Sequence, residues 1–567
     1  MATHSRNKRR LARAAAIGAT LTTGLLAASQ AFAISPAVSC ASLANATLVG
    51  DGPPVTILSA VPSTTPAPAS TPYCLVKVLV PQAINIWVGL PTTWNGRWQS
   101  LGGGGYAGTV SAPTSAVDTG YAGATTDTGH GLGGFDGSFG CVNSCVGNNA
   151  ANPGSPNVPL QQDFAYRSIH LMAVLGKQLV QLYYGQPQSY SYWNGCSTGG
   201  RQGLRMAQDY PADYDGILAG APAIHWDRFQ AGQIWYQVVQ LIDNGGPIGG
   251  GDPNVLNAKQ TLATNRAIQL CDALDGVVDG VLTDPRMCSY RAAADPWITR
   301  LGCAASDSTC LSPSEASAID KMWQGPVSCA PNFFGITGGS CQVPATATRD
   351  LSTSPFSQRL WYPNERGTAL NGLGGTTPFF IAVDQPRFWV YFDPTWNWQT
   401  LNYNNYLQFF RDTVAQVGPL MASDNPNLGP FRDRGGKVVI WHGFADQLIV
   451  PEGTIDYYKR VTATVAGGNY ATVQQFARFF IAPGVGHCGG GNGPQPQNLF
   501  DAVVNWVEKG QAPQTITASK PITGGTQTRP LCPFPSFAVY NGTGSTDDQA
   551  NFSCGRLPGQ GINDLSL

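Results

Sequence analysis

The amino-acid sequence predicts an α/β fold interrupted by one large insertion. Three observations carry this. Two blocks, 34–223 and 429–567, alternate short apolar strand-like runs with amphipathic helical stretches. The region between them, 224–428, lacks that alternation and is rich in Trp, Tyr, Gly, Pro and Cys. Reactive side chains sit in small-residue turns at the ends of the strand-like runs. Strands alternating with helices imply a parallel sheet with helices on its faces.

The chain starts with a segment to be removed. Arg6, Lys8, Arg9, Arg10 and Arg13 form a basic n-region, Ala14–Ala28 is apolar and small, and Ala31-Phe32-Ala33 fits the small-x-small cleavage rule. Residues 1–33 therefore read as a signal peptide, and the mature chain begins near Ile34. The apolar run falls short of the roughly 20 residues of a spanning helix, and no later stretch is long and apolar enough to span a membrane. Arg9-Arg10 fits the twin-arginine pattern poorly, which leaves the export route open.

In the first block, Ala83–Val88 alternates like a strand, Trp98–Leu101 runs into four glycines, and 120–126 ends another strand. A helix is predicted over Asp163–Tyr184 from Leu171, Val174, Leu175, Leu179 and Leu182 at helical spacing. Ser189–Asn194 is a short aromatic strand, Gly200–Asp209 a helix stopped by Pro211, and Asp215–Pro222 a strand ending in a turn. In the second block, Lys437–Trp441 is a buried-strand run, Gly453–Val465 a helix, Arg478–Ala482 the next strand, and Asn498–Lys509 a closing amphipathic helix. The insertion leaves after the strand that follows Ser197 and returns before the strand leading to Asp446. It is read as a lid over the C-terminal ends of the strands, where open α/β sheets place their sites, rather than as an independent domain.

Composition excludes several classes. The 567 residues carry a net charge of -1, and 12% are charged, against a usual share of about 25%. Without a basic excess, nucleic acid is not an expected partner. The 68 Gly and 42 Pro imply many turns and elaborate surface loops. All 14 cysteines follow the cleavage site, so the protein reads as oxidised and exported, secreted or periplasmic. Pairs near in sequence are Cys40/Cys74, Cys141/Cys145, Cys271/Cys288, Cys303/Cys310, Cys329/Cys341 and Cys532/Cys554; Cys196 and Cys488 remain. Counting does not give connectivity, so these pairings are expectations. No Cys-x-x-Cys occurs, which argues against zinc.

Gly195-Cys196-Ser197-Thr198-Gly199 is a Gly-x-Ser-x-Gly between a strand and a helix. Such an elbow exposes a serine and needs small neighbours. A serine hydroxyl attacks only when a base takes its proton. His487, in a Gly-rich turn after a strand, is the predicted base. Asp446, in the turn after 437–441, is predicted to orient it; Asp424 and Asp456 have poorer context. The order Ser, Asp, His is that of an α/β-hydrolase, so the fold class becomes an α/β-hydrolase fold with a large inserted lid domain. An oxyanion hole needs backbone N–H donors: Thr198 offers one and Gly105 the other, with Gly104 and Gly103 as alternatives. Cys196 precedes the serine and Cys488 follows the histidine, so a bond between them would tie nucleophile to base. Asp272, Asp275 and Asp279, with Gly276 and Gly280 allowing tight turns, make a hard-oxygen cluster suited to calcium, to which Val277 and Val281 could add carbonyls. A solvated acidic turn closed by Cys271 and Cys288 is the alternative.

These motifs resemble the tannase and feruloyl esterase family of α/β-hydrolases, which also includes mono(2-hydroxyethyl) terephthalate hydrolase. The resemblance rests on Cys196-Ser197, Asp446, His487-Cys488, the stretch from Cys271-Asp272 through Val281, Phe431–Lys437 and Arg529–Pro533, and it covers nearly the whole mature chain. It implies a secreted serine carboxylesterase acting on esters of aromatic acids such as ferulate or gallate, with a structural calcium in the lid and a set of local disulfides. The family's terephthalate member uses a lid arginine to hold the free carboxylate. No arginine in a matching context lies between Arg366 and Arg387 here, which weakens the mono-terephthalate alternative. The lid aromatics Trp361, Phe379, Phe380, Trp389 and Trp396 suit an aromatic acyl group, although lid core is the more natural place for most of them. A catalytically silent binding protein or a peptidase on the same fold are the readings from other classes.

Overall fold

The computed structural model describes residues 33–327 and 360–557. The leader up to residue 32, Cys329 and Cys341 therefore lie outside the described residues. A nine-stranded sheet forms the centre, in the order β1-β2-β3-β5-β4-β6-β7-β8-β9. Its strands are β1 (Thr56–Thr64), β2 (Pro72–Val80), β3 (Ile84–Pro91), β4 (Arg97–Leu101), β5 (Ala122–Thr126), β6 (Tyr190–Cys196), β7 (Gly216–Gly220), β8 (Lys437–Gly443) and β9 (Ala477–Ala482). From β5 to β9 all neighbours are parallel.

The longer helices are α1 (Ser168–Tyr184), α2 (Thr198–Asp209), α3 (Trp226–Asp243), α4 (Pro253–Cys271), α5 (Pro313–Met322), α6 (Tyr406–Met421), α7 (Pro451–Ala466) and α8 (Leu499–Lys509). Successive strand residues point to opposite faces. Val438 and Ile440 of β8 accordingly join the cluster under α1, α2 and α7. Val439 and Trp441 join the one under α8. Every residue of β7 and β9 is buried, as expected of parallel strands covered on both faces.

The expected core elements are present, with three corrections. Ala83–Val88 does belong to a strand, but β3 runs antiparallel to both β2 and β5, so the first block is not uniformly parallel. The β1–β2 pair was not foreseen. Pro62 and Pro72 break the strand pattern, and β1 accommodates Pro62 because it is an edge strand, paired only to β2. Nor does the helix over 499–509 close the fold. It is flanked by a three-stranded sheet, whose β10 (Gln495–Pro496) precedes it and whose β11 (Ile516–Ile522) and β12 (Gly525–Leu531) follow, and then by a hairpin of β13 (Phe537–Tyr540) and β14 (Phe552–Gly555). These half-exposed strands lack clean apolar alternation.

The insertion runs between the parallel neighbours β7 and β8. Helices α3–α6 bury their own apolar core, which also takes in Tyr106, Phe139 and Phe164 from the first block. The lid is thus packed into the loops above the sheet. Among the described residues six disulfides join Cys40–Cys74, Cys141–Cys145, Cys196–Cys488, Cys271–Cys288, Cys303–Cys310 and Cys532–Cys554. No described helix is long and apolar enough to cross a membrane.

Candidate active site

The turn between β6 and α2 forces Ser197 into φ 63°, ψ -124°, a conformation non-glycine residues rarely adopt. Its neighbours must be small. A Cβ on Gly195 would lie 2.6 Å from the Gly199 backbone, and one on Gly199 would lie 3.1 Å from the Gly102 Cα. The elbow therefore presses directly against the glycine run after β4. Ser197 lines a cavity of about 420 Å³ together with His487, Thr198, Gly104 and Gly105. Its hydroxyl makes no hydrogen bond to a described residue.

Asp446 is buried in the turn after β8, 1% exposed. Its Oδ1 accepts from the Leu448 and Ile449 amides at 2.8 and 2.9 Å. Its Oδ2 lies 2.8 Å from His487 Nδ1. The His487 amide donates to Gln447 Oε1 at 3.0 Å, which fixes the histidine turn to the acid turn. With Nδ1 engaged, His487 has Nε2 left for the cavity. Burial alone would raise the Asp446 carboxyl, but the His487 charge and hydrogen bonds from His442 and His487 outweigh it and hold it well below the usual carboxylate range. For His487, burial disfavours the imidazolium; the Asp446 carboxylate outweighs this and holds the imidazole above its ordinary value.

A second histidine on the same carboxylate was missed in the sequence. His442 Nε2 lies 3.0 Å from Asp446 Oδ2 and 2.9 Å from the Ile449 carbonyl oxygen. Its Nδ1 lies 2.9 Å from Thr454 Oγ1. Two acceptors at Nε2 require the proton there, so Asp446 Oδ2 is gripped from two sides. The remaining described histidines are engaged elsewhere: His130 with the Tyr106 carbonyl, His170 with Asp213, His225 with Asp424. Asp424 and Asp456 both pair with Arg460.

The glycine run sorts itself by hydrogen bonding. The Gly102 amide donates to the Asn194 carbonyl at 3.0 Å, and the Gly103 amide to Gln202 Oε1 at 3.1 Å. Among the described residues, the Gly104, Gly105 and Thr198 amides have no protein acceptor. Gly105 has φ +56°, and a Cβ there would lie 2.0 Å from the Gly134 carbonyl oxygen. Thr198 Oγ1 donates to the Gly105 carbonyl at 2.6 Å, holding the two segments together. Gly103 drops out as an oxyanion donor. Cys196 and Cys488 are bonded, with Cα atoms 6.0 Å apart.

The acidic turn lies against the His487 loop, where Asn492 donates to the Gly280 carbonyl. Asp272 Oδ2 accepts from the Gly280 amide, Asp275 from Val277 and Thr283, and Asp279 from Val281 and from Arg529. Asp272 Oδ1 is buried without a partner among the described residues. A cavity of about 30 Å³ is lined by Asp275, Val277, Asp279 and Val281. Cys303, Asp307 and Cys310 bring ligand-type atoms within 4.8 Å of one another, but both sulfurs are spent in a disulfide. Of the five lid aromatics named from the sequence, Phe379 alone lines the catalytic cavity. Trp361 and Trp389 are lid core, Trp396 stacks on Tyr391 and Phe409, and Phe380 is half-exposed against Phe135.

Known proteins resemble this chain over most of its length. The family model described as "Tannase and feruloyl esterase" matches residues 76–555. A probable feruloyl esterase of Arthroderma benhamiae is 34% identical over 480 residues, 83% of this chain and 82% of its own. The mono(2-hydroxyethyl) terephthalate hydrolase of Piscinibacter sakaiensis is 30% identical over 560 residues, 88% and 87% of the two chains. The crystal structure of feruloyl esterase B from Aspergillus oryzae superimposes with a TM-score of 0.71 at 26% identity, covering 91% of this chain and 99% of that one.

Proposed function

This chain belongs to the tannase and feruloyl esterase family, and on that premise we propose that it hydrolyses esters of aromatic acids such as ferulate or gallate through Ser197, His487 and Asp446. It is a carboxylic ester hydrolase with an α/β-hydrolase fold and a small-molecule substrate. One observation carries the residue assignment: a serine held at φ 63° shares a cavity with a histidine whose other nitrogen lies 2.8 Å from a buried aspartate.

In the proposed cycle Ser197 Oγ attacks the ester carbonyl carbon while His487 Nε2 takes its proton. The Thr198 and Gly105 amides hold the developing oxyanion. The tetrahedral species collapses as His487 returns the proton to the leaving alcohol, which gives an acyl-serine. Water, deprotonated by the same nitrogen, then releases the acid and restores the hydroxyl. Asp446 stabilises the imidazolium and fixes its tautomer.

A structural calcium is proposed at Asp272, Asp275 and Asp279, with the Val277 and Val281 carbonyls. The orphaned Asp272 Oδ1 supports it, as does the convergence of Asp275 and Asp279 with Val277 and Val281 on one small cavity. Bound there, the ion would neutralise the clustered carboxylates and stiffen the turn. That turn backs the histidine loop: Asn492 donates to the Gly280 carbonyl, and a Cβ on Gly484 would lie 2.9 Å from Val281. Export with removal of residues 1–33 is proposed from the leader pattern and supported by the density of disulfides.

The test is Ser197→Ala assayed against gallate, ferulate, mono-terephthalate and short aliphatic esters, with serine-directed phosphonate labelling of the native protein. Activity should vanish while folding and secretion persist. A residual rate above about a hundredth of wild type refutes the nucleophile, and no labelling returns the chain to a binding role. An aromatic amide cleaved as fast as its ester would favour the peptidase reading. The terephthalate relative keeps a mono-terephthalate ester in the panel, but no described residue lining the cavity is Lys or Arg.

A further inference from the structure

Helix α3 forms one wall of the catalytic cavity. Trp226, Phe229, Gln230 and Gln233 all line it, at spacings that put them on one helical face. The rest of the lining is largely apolar, including Phe135, Phe379, Ile381, Leu448 and Ile449. Against that background the polar atoms of this wall are conspicuously unpaired. Gln230 is 0% exposed, and among the described residues neither its Oε1 nor its Nε2 has a partner. Gln233 Nε2 donates to the Leu448 carbonyl at 2.8 Å, but among the described residues its Oε1 has no partner, and neither has the Trp226 indole Nε1.

A buried polar group left unpaired forfeits its hydration without recovering a partner, so a wall holding four such atoms is an unfavourable feature for an apolar cavity. It becomes favourable if a bound molecule supplies the missing partners. The chemistry of the four atoms defines that molecule. They are two donors and two acceptors, all neutral. A carboxylate could use the donors only, and no described lining residue is a cation to balance its charge. An unsubstituted ring would satisfy none of them. A hydroxyl both donates and accepts, as the Gln230 amide does.

Resting on the esterase reading, we propose that Gln230, assisted by Gln233 and Trp226, is a specificity-determining contact that reads a neutral hydroxyl on the aromatic ring of the acyl group. It selects hydroxylated aryl esters over unsubstituted and carboxylated ones.

The experiment holds the alcohol constant as methanol and varies the ring: kcat/KM of the mature enzyme for methyl 4-hydroxycinnamate, methyl cinnamate and methyl 4-carboxycinnamate. The native enzyme should prefer the hydroxylated ester at least tenfold over each of the others. Gln230→Leu should lose at least ten times more on the hydroxylated ester than on methyl cinnamate, because a site built to bond a hydroxyl rejects its absence strongly. Gln230→Met, similar in length and shape, provides the same comparison should the leucine variant fail to fold. Thermal melting and phosphonate labelling of Ser197 confirm that each variant assayed is intact. A native enzyme indifferent to the hydroxyl overturns the inference without any variant. So does a parallel loss on both esters, or an unchanged ratio. Hydrolysis of no aromatic ester by the native protein overturns the esterase reading itself, and this inference with it.

Discussion

Replacing Cys196 and Cys488 together by alanine tests how far the site depends on a covalent tie. The bond spans a sequence separation of 292. The chain-entropy relation for a loop of that length gives about 5–6 kcal/mol of stabilisation at 25 °C. A chain of this size has an unfolding entropy of about 1 kcal/mol per degree at its midpoint, so the melting temperature should fall by about 5 °C. The Cys40–Cys74 bond spans 34 residues, and the same relation gives about 4 kcal/mol for it. Two double-alanine variants of similar stability cost can therefore be compared. They should differ in catalysis. Cys196 abuts Ser197 and Cys488 abuts His487, whereas Cys40 and Cys74 lie in the core around β2. Proton transfer needs the serine oxygen and imidazole nitrogen within about 2.6–3.2 Å, and a misplacement of about 1 Å costs on the order of a hundredfold. The 196/488 variant should lose between about tenfold and a hundredfold in kcat, measured well below both melting points. The 40/74 variant should stay within about twofold of wild type. Equal kcat values in the two variants would reduce the 196–488 bond to an ordinary staple.

Three further outcomes follow from the site. The acid limb of kcat/KM should lie above pH 6.5, because Asp446 raises the His487 imidazole and only its neutral form accepts the serine proton. Asp446→Asn should move that limb down, and a native limb at or below 6.5 would contradict the ion pair. Exhaustive chelation should lower the melting temperature by a few degrees, since a ligand at a hundredfold excess over its Kd contributes about 2.7 kcal/mol; an unchanged melt with no calcium by elemental analysis counts against the acidic-turn site. His442→Leu should lower kcat by about tenfold or more, as loss of a hydrogen bond to a charged group costs about 1.5–3 kcal/mol. It should also shift the acid limb, which a merely structural role would leave in place.

What could be read in the sequence is what depends on short-range geometry. Ser197, Asp446 and His487 each sit in a turn of small residues after a strand, and that context is local. The glycine run likewise announced a close backbone approach, yet only the structure separates its members. Gly103 spends its amide on Gln202, a partner 99 residues away. The lid aromatics illustrate the opposite limit. Their number was plain, but Trp361 and Trp389 pack into the lid core whereas Phe379 lines the catalytic cavity, and the sequence pattern does not encode that. The edge hairpin β1–β2 stayed hidden because Pro62 and Pro72 argue against a strand unless its edge position is already known.

His442 shows why one functional neighbour escapes such a reading. On an extended strand, residues 442 and 446 would lie far apart. They meet because the chain reverses after β8, and the amides of Leu448 and Ile449 turn inward to the Asp446 carboxylate. The same turn presents the Ile449 carbonyl to His442 Nε2. That carbonyl and the carboxylate share one proton donor, so the histidine stabilises the turn and the acid together. The carboxylate must stay ionised to stabilise the imidazolium of His487, yet it is buried, and burial favours its neutral form. Two backbone amides and one imidazole N–H offset that penalty before His487 is charged. A buried acid in this position needs several donors, and most of them come from residues whose side chains carry no catalytic signature. Only the folded turn reveals them.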